Sequence, residues 1–130
     1  MSSQWQQISA NLKTHTLDVV RASVVKLGTQ VVQDTPVDKG MLINNWLTGV
    51  DNVDSAQRPP KAGGSDSIAE LTQKIKLLNY GVTIYFSNPM PYASRIEYEG
   101  YSQKAPAGML RKNVINWPQI LESTARQMKK

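Results

Sequence analysis

Apolar residues recur at steps of three and four from Trp5 through Ile8, Leu12, Val19 or Val20, Val24, Leu27 and Val31. That spacing lines one face of an α-helix, and it predicts a long amphipathic helix over about residues 3–34, with Gly28 a mild weakness inside it. Thr35-Pro36 stops the helix, because the residue before a proline is pushed out of the α region. At about 1.5 Å rise per residue such a helix is roughly 45 Å long. A chain of 130 residues folds to a radius of gyration of only about 14 Å. Part of the helix is therefore expected to project, or to pack against a neighbouring subunit.

The pattern then changes. Asp38-Lys39-Gly40 reads as a turn, and residues 41–50 read as extended, with Leu42, Trp46 and Val50 on one strand face and Asn44 and Asn45 weakening the pattern. Residues 51–65 contain Pro59-Pro60 and Gly63-Gly64 and read as a polar, flexible arm, loop-like over about 52–65, with Arg58 and Lys61 at its middle. Ser67-Ile68-Ala69-Glu70 has the form of a helix-capping box, and Ile68, Leu71, Ile75 and Leu78 continue it as a helical stripe. Gly81 ends that segment. Val82, Ile84 and Phe86 alternate with Thr83 and Tyr85, the strongest strand signal in the chain. Asn88-Pro89-Met90-Pro91 breaks it, residues 92–99 fit a short helix before Gly100, and Ala105-Pro106-Ala107-Gly108 is a second break. A final helix runs to about Met128, with Pro118 either starting its main part or kinking it. The sum is one α+β domain over residues 1–130: a long N-terminal helix, a small antiparallel sheet, and further helices packed on one face.

Composition narrows the function more than the fold. With 40% hydrophobic but only 7% aromatic residues, the core leans on Val, Ile and Leu, and a protein of this kind often completes its burial against another subunit. Cysteine is absent, which excludes disulfides and thiolate metal sites. The N-terminus, Met1-Ser2-Ser3-Gln4-Trp5-Gln6, has no basic or apolar run of a signal peptide, and no stretch near 18 apolar residues could span a membrane. The formal charge is +5, from 15 basic and 10 acidic residues. It fits an ordinary solvated surface, or one that faces a polyanion or an acidic protein ring. The bases are scattered except over residues 126–130, where a helix C-terminus also favours them.

Catalytic chemistry finds little purchase. His15 is the sole histidine, and a solvated helix position accounts for it. Glu97 and Glu99 are two apart and diverge on a helix. Asp51 and Asp54 lack the ligand spacing of a calcium loop, and Gly63-Gly64 lacks the Lys-Ser or Lys-Thr of a phosphate loop. Tyr80 and Tyr85 near Lys74 and Lys76 faintly resemble a base-stacking platform, although packing explains them better. No catalytic, metal or cofactor site is expected.

Three segments together resemble a known family. Asp34-Thr35-Pro36-Val37-Asp38-Lys39-Gly40-Met41-Leu42, followed by Asn45-Trp46, is similar to the helix-to-strand passage of tail-component and neck proteins from long-tailed double-stranded DNA phages. Val82-Thr83-Ile84-Tyr85-Phe86-Ser87-Asn88, leading to Pro91-Tyr92-Ala93 and Ile96-Glu97-Tyr98-Glu99-Gly100, resembles the family's strand, turn and Glu-rich helix end. Ala105-Pro106-Ala107-Gly108-Met109-Leu110-Arg111 resembles its closing motif. The segments cover about 30 positions in the family's order; Lys39, where the family often has Thr or Ser, and Tyr101 after Glu99-Gly100 depart from it.

The resemblance implies a virion structural protein at the head–tail junction, a tail-completion or neck ring subunit that helps join the tail to the DNA-filled head after assembly in the host cytoplasm. Its partners would be a hexameric or dodecameric ring of its own copies, other neck, connector and tail proteins, and DNA in the lumen, with no membrane. Pro36, Asp38, Gly40, Trp46, Pro91, Tyr92, Glu97, Gly100, Pro106, Gly108 and Met109 are then expected to hold the fold. Trp5, Ile8, Leu12, Arg58, Pro59, Pro60 and Lys61 are the expected subunit contacts. A small basic nucleic-acid-binding module is the rival reading, marked by steeply salt-dependent DNA binding; a hydrolase would need activity dependent on His15 or Glu97.

Overall fold

The computed structural model describes residues 4–37, 40–91, 93–99 and 108–129. Its elements are α1 (Gln4–Gln33), a 3-10 turn (Ile43–Asn45), β1 (Leu47–Val50), α2 (Ser65–Lys74) continued by a second 3-10 turn (Ile75–Leu77), β2 (Ile84–Ser87), α3 (Ala93–Glu99), α4 (Arg111–Val114) and α5 (Trp117–Met128). The architecture is α+β, a long N-terminal helix with a two-stranded antiparallel sheet and further helices packed against it. Among the described residues no helix is long and apolar enough to cross a membrane.

The expected stop of α1 is built into the core. Thr35 donates its hydroxyl to the Val31 carbonyl at 2.7 Å and accepts the Trp46 indole N–H at 2.8 Å. Trp46 is buried and stacks on Phe86 with ring centres 5.1 Å apart. Around this pair the core gathers Val31, Val32, Leu42, Ile43, Met90, Ile96 and Met109. Gly28 is no mere weakness: a Cβ there would press into Leu71, so its absence lets α2 close on α1.

Residues 41–50 are only half extended. Strand β1 begins at Leu47, and Ile43–Asn45 form a 3-10 turn that buries both asparagines. Two adjacent amides in an apolar stretch are more use to the fold as anchors for loop backbone than as strand residues. β1 pairs with β2 in the register Leu47 opposite Ser87, Thr48 opposite Phe86, Gly49 opposite Tyr85 and Val50 opposite Ile84. The alternation read at residues 82–86 holds, with Val82, Ile84 and Phe86 half-buried and Thr83 and Tyr85 exposed, although the paired strand begins only at Ile84.

Two other expectations are corrected. The capping box does not form, because α2 starts at Ser65, before Ser67, and carries no side-chain cap. Ser67 and Glu70 thereby fall inside the helix and make tertiary contacts instead. The expected single final helix is two pieces, α4 and α5; Pro118 starts the main one, as the first of its two expected readings has it, and its missing N–H costs nothing in that first turn.

Gly40 joins α1's end to the sheet with φ +80°, and an added Cβ would collide with the Lys61 and Ala62 backbone. The Lys61 N–H donates to the Gly40 carbonyl at 3.1 Å, so the two segments are in direct contact. Gly40→Ala is expected to lose on the order of 2 to 3 kcal/mol, read as a lowered midpoint in urea unfolding at unchanged slope.

Candidate functional site

The first turns of α1 are exposed among the described residues. Every residue from 4 to 16 is exposed, including Trp5 at 78%, Ile8 at 47% and Leu12 at 61%. At 3.6 residues per turn, positions 5, 8, 12, 19 and 23 fall within about 60° of one another. Val19 and Ser23 are buried. The exposed stripe is thus the continuation of a face that the same helix buries further along.

α5 covers part of that helix. Lys26 donates to the Thr124 hydroxyl at 3.0 Å and to the Gln127 side-chain carbonyl at 2.6 Å, and the end of α5, at Met128 and Lys129, lies beside Asn11, Thr14, His15 and Asp18. On another side the Asn79-Tyr80 turn faces Ala10, Lys13, Thr14 and Leu17 across an open groove, and Arg21 donates to the Leu78 carbonyl at 3.2 Å. The first two turns extend past both supports. Over residues 4–17 Lys13 is the sole formal charge. A helix that stays in water ordinarily carries charged residues on its free faces, whereas interface centres are depleted of them.

The other expected contacts are placed differently. Arg58 turns inward: its guanidinium donates to the Asn44 carbonyl at 2.8 Å and to Ser67 Oγ at 3.2 Å, and pairs with Glu70 at 2.9 Å. Its own N–H and carbonyl are held by the Asn45 side chain at 2.8 and 3.1 Å, and the Pro59 carbonyl by Asn44 at 2.7 Å. Residues 52–62 have no regular secondary structure, yet this grip fastens their middle. Pro59, Pro60 and Lys61 are exposed, with Lys61 paired to Asp66 at 3.0 Å.

Among the described residues expected to hold the fold, Glu97 is the most heavily hydrogen-bonded. It is buried, and its carboxylate accepts the successive N–H groups of Met109, Leu110 and Arg111 at 2.8, 2.6 and 2.9 Å. Arg111 adds its side chain, Nε to the carboxylate at 3.0 Å and Nη2 to the Glu97 carbonyl at 2.6 Å, and lies over the Tyr98 ring. Burial alone would raise the Glu97 pKa; the N–H donors of Leu110, Arg111 and Met109 and the guanidinium outweigh it and hold the carboxyl below its ordinary range. Gly108, at φ +85°, makes the approach feasible, since a Cβ there would sit 2.7 Å from the Glu97 carbonyl oxygen. Three consecutive N–H groups of this kind form an anion nest, here filled by the chain's own carboxylate. Met109 is thereby seated in the core. Pro36 is half-buried beyond α1 and Pro91 is exposed before α3, while Asp38, Tyr92, Gly100 and Pro106 lie outside the described residues.

For chemistry, His15 is exposed on α1, Glu97 is saturated by donors, and no group of three or more metal-ligating side chains is found among the described residues. Among the described residues most cations are paired within the chain: Arg21 with Asp18, Arg58 with Glu70, Lys61 with Asp66, Lys74 with Asp54 and Glu70, Arg111 with Glu97, Lys112 with Asp34 and Arg126 with Glu122.

Sequence reasoning missed the work of Asn44, Asn45, Glu70 and Lys74. Glu70 accepts the Thr48 N–H at 2.7 Å, and Lys74 donates to the Thr48 carbonyl at 2.9 Å. The two side chains thus take the place of a third strand along the outer edge of β1. The Glu70–Lys74 spacing on a helix is visible in the sequence, but it reads as an ordinary surface pair. Comparison with protein-family models, with curated proteins and with solved structures finds no match to this chain.

Proposed function

We propose that this chain is a structural subunit of a phage particle, acting at the head–tail junction as a tail-completion or neck ring component. The observation that carries the reading is the Trp5–Ile8–Leu12 stripe, an apolar, nearly uncharged helix face that nothing in its own chain covers among the described residues. Burying three such side chains against a neighbour is worth about 5 kcal/mol, a useful share of a ring contact. Behind the stripe, Glu97 fastens residues 109–111 to α3 and Arg58 fastens the loop to the start of α2. The sequence resemblance supplies the particle and the place within it. Against a free nucleic-acid module stands the internal pairing of most described cations.

The test is genetic and structural together. In the phage whose genome carries this chain, deletion is expected to leave filled heads and separate tails in electron micrographs. The wild-type chain restores joined particles, and Leu12→Asp does not, although its circular dichroism matches wild type because the side chain is exposed. Joined particles at normal frequency in the deletion would overturn the proposal, as would full rescue by Leu12→Asp together with Trp5→Asp.

A further inference from the structure

The two edges of the sheet are treated unequally. Asp51 donates its N–H to the Thr83 carbonyl at 2.7 Å, and Thr83 returns its own to the Asp51 side chain at 3.0 Å. In an antiparallel ladder the hydrogen-bonded pairs alternate, so Gly49–Tyr85 and Leu47–Ser87 are the bonded pairs that follow. The backbone groups of Thr48 therefore point away from β2, where Glu70 and Lys74 receive them. By the same parity the N–H and C=O of Ile84 and Phe86 point away from β1. No partner receives them among the described residues, and no element other than β1 packs extensively on β2.

Edge strands in soluble proteins are ordinarily blunted by a charge, a proline or a bulge. β2, Ile84-Tyr85-Phe86-Ser87, has none of these. Its outward groups require an extended backbone with two N–H and two C=O in matching positions, and a second β2 supplies them. We propose that the free subunit pairs β2 to β2 with a second copy of this chain about a two-fold axis, extending two strands to four. The register that draws only on the outward groups of β2 itself sets Tyr85 on the axis. With Tyr85 opposite Tyr85 of the second copy, Ile84 and Phe86 exchange all four bonds. Setting Ile84 opposite itself would bring in Val82, whose N–H is already given to the Asn79 carbonyl at 3.0 Å. Tyr85, 39% exposed, then forms a close cross-strand aromatic pair, which favours association. One cyclic ring cannot use a two-fold contact, so the pair belongs to the unassembled subunit. The inference stands whether or not the head–tail reading does.

The chain has no cysteine, so Tyr85→Cys introduces a single thiol at the axis. Non-bonded antiparallel pairs bring Cα atoms to about 4.5 Å, within disulfide range. Under mild oxidation the full-length Tyr85→Cys variant is expected to cross-link to a dimer in high yield, while a control Gln73→Cys on α2 stays monomeric. In sedimentation, wild type runs as a dimer and Tyr85→Lys, with like charges across the axis, as a monomer of unchanged circular dichroism. A wild-type monomer at the highest soluble concentration would overturn the inference. So would an oligomer that survives Tyr85→Lys and does not cross-link through residue 85, or protection of the Ile84 and Phe86 amides from hydrogen exchange only when a different protein is added.

Discussion

Glu97→Ala is expected to destabilise the chain by about 3 to 5 kcal/mol, lowering the thermal midpoint by roughly 10 to 20 °C. The carboxylate is the acceptor for three consecutive backbone N–H groups and one guanidinium. Its removal leaves buried donors near Met109 without partners, each costing about 1 to 3 kcal/mol. Set against a typical total of about 5 to 15 kcal/mol, this single change approaches unfolding. Glu97→Gln keeps the shape and one acceptor, and is expected to lose about half as much. Acid should act on the same group. Its folded pKa lies below the ordinary glutamate value of 4.5, so its contribution is complete above that value and drains away as pH falls through the lower folded one. The test compares unfolding midpoints of wild type and Glu97→Gln at neutral pH and near pH 3. The gap should narrow in acid, and a constant gap would sink the assignment.

Arg58→Ala is the second large effect, about 2 to 4 kcal/mol. The guanidinium joins the Asn44 carbonyl and Ser67 to Glu70, tying residues 52–62 to the start of α2. Without it, Glu70 keeps Thr48 and Lys74, so the sheet edge survives, while the loop is held only by the Asn44 and Asn45 bonds to its backbone. Limited proteolysis is therefore expected to cut within residues 52–62 well before global unfolding. Arg58→Lys should rescue little, because an ammonium cannot reproduce the planar fork. Equal resistance of the wild-type and Arg58→Ala loops to protease would show that the pin lies elsewhere.

These two residues mark how much of the protein was legible in its sequence. α1 was plain over nearly its whole length, because a three- and four-residue period over thirty positions has no competing reading. Its end was equally plain, since Thr35-Pro36 acts locally. Ile84 and Phe86 showed their faces for the same reason. Arg58 was not legible: in a Pro- and Gly-rich stretch it reads as a solvated charge, and only the buried turn at Ile43–Asn45 draws it inward. The capping box failed for a related cause. Ser67 and Glu70 have the right spacing, but Ile43, Arg58 and Thr48 offer them better partners than a helix end does. Glu97 was visible as part of a motif, yet its role depends on residues 109–111 reaching it across a chain break in pattern, which no local signal records. Trp5, Ile8 and Leu12 were legible as a face, and their exposure followed from comparing a helix length with a globule's width.

That same length has a mechanical side. The first two turns of α1 carry about 11 Å of continuous helix past its supports, on a helix rooted in the core through Val31 and Val32 and with no proline along it. A stiff rod fixed at one end converts angle into distance. Tilting it by about 10° carries its tip roughly 2 Å sideways. Whatever meets Trp5 therefore gauges the orientation of the whole body behind it, and a subunit seated a few degrees askew would be refused at the tip.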